Sequence, residues 1–187
     1  AGATLSKAQM GGARLSLADL SGASLDGAVL PGADLSGAIL RGATLARASL
    51  AHARLPGADL QAASLPRADL NHADLSGAVL NRAILSNASL QHARLPGANL
   101  QAASLQMADL TGADLHDADL RGSDLRGANF GSADLRAANL QGARLDGAGF
   151  FEKLTHWAFG SRAGLFRVKL EGATLPDGRV WQEGMDL

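Results

Sequence analysis

The sequence predicts an all-β solenoid, a parallel β-helix built from five-residue units, and two observations predict it. First, every residue whose number is a multiple of five, from Leu5 to Phe150, is Leu, Met or Phe, and the residue two before it is Ala in every unit except at Ser123. Second, all five prolines (Pro31, Pro56, Pro66, Pro96 and Pro176) directly follow a Leu, and three of them are followed by Gly32, Gly57 and Gly97. A repeat this regular marks a solenoid rather than a globular domain.

Each element of the unit has a physical reason. A period of five matches neither a straight helix nor a simple strand. Ala and Leu, two apart, point the same way if those three residues are extended. The two residues after Leu must then turn a corner. Pro followed by Gly suits the centre of a type II turn, where Pro holds φ negative and Gly accepts positive φ.

Composition bounds the alternatives. The 187 residues are 47% hydrophobic, but aromatics are only 4%, fewer than an ordinary globular core uses. Without cysteine there are no disulfides and no thiolate metal sites. No apolar run is long enough for a membrane span, and no secretory leader is visible, although one could have been removed before Ala1. A cytoplasmic location is the expectation. The net charge of −1 argues against direct nucleic-acid binding, which requires a basic stripe.

The unit, as in Ala33-Asp34-Leu35-Ser36-Gly37, resembles the A(D/N)LXX consensus of the pentapeptide-repeat family, without a break over residues 1–150. The resemblance implies a right-handed, quadrilateral β-helix with about 20 residues per coil, Leu filling the interior and Ala packed beside it. With coils about 4.8 Å apart the rod would be roughly 36 Å long. Longer matches, such as AHARLPGADL at 51–60 and QHARLPGANL at 91–100, lie 40 residues apart and point to duplication of a two-coil unit.

The repeat breaks at 151–160, read as a short helix or loop, resumes over 161–175, and gives way to a tail at 176–187. The LPDG…W ending resembles the tail of many bacterial members of the family. Phe151, Trp157, Phe159 and Trp181 are the expected capping residues of the C-terminal end, since an open β-helix end exposes backbone groups and Leu side chains. The N-terminal end has no such cover, which leaves two readings: a homodimer through that end, or a further domain upstream.

With 20 residues per coil, surface columns can be read directly. Arg14, Asp34, Arg54, Asp74, Arg94, Asp114 and Asp134 form one of alternating sign, expected to hold the register rather than to recognise a partner. His52, His72 and His92 form another, a weak metal candidate because a straight column does not converge on an ion. Asp109, Asp114, Asp117, Asp119 and Asp124 gather charge late in the chain and are a weak interaction candidate. No catalytic constellation, cofactor motif or phosphate loop is present in the sequence, so neither an enzyme nor a cofactor is expected. The expected function is a scaffold binding another protein on flat, rigid faces. The resemblance supplies an alternative: some members, of the quinolone-resistance type, mimic DNA and bind gyrase.

Overall fold

The structure is a computed structural model, which describes residues 2–149 and 168–182. Among these residues there is no helix, and hence none long and apolar enough to cross a membrane. The chain winds as a parallel β-solenoid. Residue i bridges residue i+20 in parallel, from Thr4↔Ser24 to Asp124↔Arg144, so four bridge columns run the length of the rod. Four turns separate the four sides of each coil.

Backbone hydrogen bonding explains why five residues suffice. In a typical unit Leu25 N–H donates to Thr44 O (2.7 Å), Thr44 N–H to Ala23 O (2.9 Å), and Gly27 N–H to Ala46 O (2.8 Å). Ala28 N–H closes the corner onto Leu25 O at 2.9 Å. Four of the five amides are thus satisfied within and between coils, and buried amides require this. The fifth, on the first corner residue, varies from corner to corner: at Ala46 and Gln91 it donates to the Asp26 or Asn71 side chain one coil earlier, and two other arrangements recur. An Asp or Asn two residues earlier accepts it, as Asp34 Oδ1 does from Ser36 and Asp119 Oδ1 from Arg121, both at 3.1 Å. Alternatively a proline removes it: the residues two before Pro31, Pro56, Pro66, Pro96 and Pro176 are Val29, Arg54, Ser64, Arg94 and Thr174, none of them Asp or Asn. The D/N of the repeat consensus is therefore a corner device as well as a surface charge.

The second corner residue has φ near +60° in all thirty units from Gly2 to Gly147, and from Lys7 onward each of these corners has the i→i+3 bond of a type II turn. Half of these positions are glycine; the other fifteen, among them Arg47, His52, Ala62 and Met107, hold a side chain in the left-handed region. Side chains there lean toward the next coil. The Leu17 side chain lies over Gly37, Met107 over Gly127, and the His92 ring over Gly112, where an added Cβ would sit 2.5 Å from Nδ1. At Gly37, Gly112 and Gly127 the overlying side chain takes the place a Cβ would occupy, so glycine is required there.

From Ala23 to Leu140, Leu and Ala are almost wholly buried, with Phe130 taking a Leu position and Ser123 an Ala position. Ser123 satisfies its hydroxyl on Leu120 O at 2.7 Å. Leu5, Met10 and Leu15 in the first coil are only half-buried.

The later repeats follow a register that columns of 20 do not give. Asp134 bridges Lys169, and Asn139 bridges Thr174, an offset of 35. Fifteen additional residues, three units, are passed over before the ladder resumes, which preserves the phase of five. The expected helix or loop at 151–160, with Phe151, Trp157 and Phe159, lies outside the described residues. Beyond Pro176 the chain turns on Leu175–Gly178 (2.9 Å) and runs back antiparallel, Thr174 opposite Val180, which sets Trp181 half-buried against the core.

Candidate functional site

The interior is filled by Leu and Ala, so any site lies on the outer faces and corners. Asp134 ends the Arg14–Asp134 column on a like charge, because Asp114 directly precedes it, and Lys169 restores the alternation only through the shifted register. The residues stack coil on coil, but pairing within the column is sparse. Arg94 reaches Asp74 at 3.6 Å and Lys169 reaches Asp134 at 3.2 Å. Asp34 and Asp74 instead turn to Ser36 and Ser76 in their own corners, accepting from amide and hydroxyl. The column is thus held first by corner hydrogen bonds and second by charge.

The late carboxylates are divided and occupied. Asp109, Asp114, Asp119 and Asp124 sit in four different bridge columns, so each faces a different side of the rod. Asp117 occupies a corner, at φ 59°. Asp119 and Asp124 are clamped by Arg121 and Arg126, with closest contacts of 2.6 and 2.7 Å, and each also accepts from Gln101 or Gln106 of the preceding coil. Asp114 pairs with His116 at 2.6 Å. The Arg121 hydrogen bonds hold the Asp119 carboxyl below its ordinary range against the opposing effect of burial, and Arg126 does the same for Asp124. Asp109 is lowered too: burial works against its charge, but Thr111 and Gln91 outweigh it. These five residues do not form one acidic patch.

His52, His72 and His92 stack face to face, with centroids 4.8 and 5.2 Å apart and planes within 2° and 13°. Ring nitrogens carry their lone pairs in the ring plane, so parallel stacked rings direct them side by side, not at a common point. Among the described residues no group of His, Asp or Glu is placed to hold a metal ion.

Sequence columns missed a distinction between the two corner positions. Arginines at the first corner position that follow an Asp by two residues are tied to it, Arg121, Arg126 and Arg136, and Arg179 in the tail is tied likewise to Asp177. Cations at the second position extend outward, and among the described residues Lys7, Arg47, Arg67 and Arg82 make no ion pair. The signal was present in the sequence as position within the unit.

The pentapeptide repeat family model matches residues 3–42, 43–82, 78–117 and 113–150. The chain belongs to the pentapeptide repeat family. Among solved pentapeptide-repeat structures, it is 34% identical to HetL, described as involved in heterocyst differentiation regulation in the cyanobacterium Nostoc sp. strain PCC 7120, over 95% of this chain and 83% of that one, with a TM-score of 0.40. A pentapeptide repeat protein of the Arabidopsis thaliana thylakoid lumen is 43% identical over 43% of this chain and 59% of its own length, with a TM-score of 0.40. A trypsin-treated variant of QnrB1, a plasmid-mediated fluoroquinolone resistance protein, matches over 96% of this chain and 86% of that one with a TM-score of 0.60; at 19% identity it shares the fold alone. A comparison with curated proteins found no match.

Proposed function

We propose that this pentapeptide-repeat protein is a non-enzymatic scaffold, a right-handed quadrilateral rod that binds another protein on its outer faces. The observation carrying the reading is the packing. The interior is closed by Leu and Ala along most of the rod, while four continuous bridge columns present side chains at a fixed coil spacing. A rigid ladder of this kind offers long faces at little conformational cost on binding. Self-association belongs to the same reading, since half-buried Leu5, Met10 and Leu15 give a second copy an apolar surface to cover; light scattering distinguishes dimer from monomer.

The test is cross-linking by face. Photoreactive residues at Thr44, Asp59, Asp69 and Asp74, one per column, are expected to capture a partner in the native host from one or two faces only. Capture of nothing from any face overturns the scaffold reading. A gyrase supercoiling assay with a quinolone tests the DNA-mimic alternative, and protection by this chain would replace the scaffold reading with that one.

A further inference from the structure

One corner of the rod concentrates cations that form no ion pair among the described residues. Lys7, Gly27, Arg47 and Arg67 stack at the second position of the same corner, and a concavity of about 490 Å³ opens between them. Asp26 also lines it, accepting from Thr44 Oγ1 at 3.0 Å and from Ala46 N–H at 2.8 Å and pairing with none of the three cations, so the corner keeps an excess of positive charge. The floor is backbone at Gly27, and the Lys7 side chain lies alongside it. Arg47, Arg67 and Lys7 are solvent-exposed and make no ion pair among the described residues, whereas Arg121 and Arg126 elsewhere on the rod are clamped to Asp119 and Asp124.

Resting on the scaffold reading, we propose that this corner is the docking site for a short acidic peptide segment of the partner protein. Arg47 and Arg67 stand one coil apart, about 4.8 Å, and Lys7 two coils further, so the basic strip is roughly 15 Å long. Alternate carboxylates of an extended peptide fall about 7 Å apart and span that strip with two or three charges. The strip then ends. Asn87 and Met107 continue the column without charge, and Asp69 flanks Arg67 on the neighbouring side. A nucleic acid, charged at every unit, would run beyond the cations onto that carboxylate. Guanidinium forks suit carboxylate, and their steering effect falls with salt.

The corner geometry provides a clean variant. Lys7, Arg47 and Arg67 have φ of 58, 57 and 58°, so glycine fits each position better than the native residue. The triple variant K7G/R47G/R67G should melt at or above the wild-type temperature while losing the site. The experiment follows a fluorescein-labelled octaglutamate peptide by anisotropy at low salt, with octaglutamine as the neutral control. Wild type is expected to bind octaglutamate and not octaglutamine, the triple variant to bind about ten-fold or more weakly, and R82G, which removes an unpaired arginine from another corner, to stay within about two-fold. Absence of octaglutamate binding, or equal loss in R82G and the triple variant, overturns the assignment. Displacement by pyrophosphate at lower concentration than by free octaglutamate overturns it in favour of a phosphate site. None of these outcomes affects the cross-linking result, so failure of the acidic-peptide site and failure of the scaffold reading are separable.

Discussion

Replacing alanine by glycine normally weakens a protein; at Ala62 and Ala102 it should strengthen this one. Both lie at the second corner position, exposed, with φ of 55 and 54°. A Cβ in the left-handed region costs about 1–2 kcal/mol. Glycine removes that cost but adds freedom to the unfolded chain, about 0.5–1 kcal/mol. The net gain is therefore roughly 0.5–1 kcal/mol per site. The sites are two coils apart and share no partner, so A62G/A102G should gain about 1–2 kcal/mol additively. Urea titration with an unchanged m-value and a raised midpoint is the expected readout. Gly57→Ala, at φ 63° with open space around its missing Cβ, should lose a similar amount to that gained at one site. If A62G and A102G each lower the midpoint, the corners are not type II turns of the described geometry and the reasoning fails.

Three further outcomes follow from the packing and the charges. Leu75→Ala should cost about 2–5 kcal/mol by denaturant titration, because Leu55 and Leu95 above and below are equally buried and the gap cannot collapse, whereas Leu15→Ala in the half-buried first coil should cost clearly less. Asp74→Arg removes both the charge that separates Arg54 from Arg94 and the acceptor for the Ser76 amide and hydroxyl, so added salt should restore only part of the lost stability; complete recovery would show that the corner bonds contribute nothing. Asp74, Asp109, Asp119, Asp124 and Asp134 all have carboxyls held below their ordinary range, by corner and arginine hydrogen bonds that outweigh burial. Groups lowered on folding stabilise fully above the unfolded value near 4 and lose that contribution as pH falls through the lower folded values, so thermal stability should hold from neutrality to about pH 5 and decline below about pH 4. Asp124→Asn should flatten that decline, and an unchanged profile would count against the Arg126 clamp.

The period of five, the inward Ala and Leu and the type II corners were all legible in the residues, because each is a local requirement repeated along the chain. Columns 20 apart were legible once four sides were granted, and the bridges of Arg14 to Asp34 or His52 beneath His72 follow them. What position in a column could not convey is what each side chain does there. Asp34 and Asp74 could face Arg neighbours or their own corner amide, and only the three-dimensional path places the amide nearer. The straight column already made the three histidines a weak metal candidate, and the structure adds that their rings are stacked nearly parallel.

What the sequence by itself determined is the unit: which residue points in, which turns, and where proline and glycine suit the corner. The tertiary structure decided what depends on contacts between coils. It set the offset of 35 that carries Lys169 to Asp134, since a break of whole units preserves the phase and does not tell how many residues the ladder passes over. It divided the late carboxylates among four sides and clamped them, and it left Lys7, Arg47 and Arg67 unpaired on one corner. Spacing along a chain specifies direction within a coil, but charge pairing depends on which side chains reach across it, and that is a property of the assembled rod.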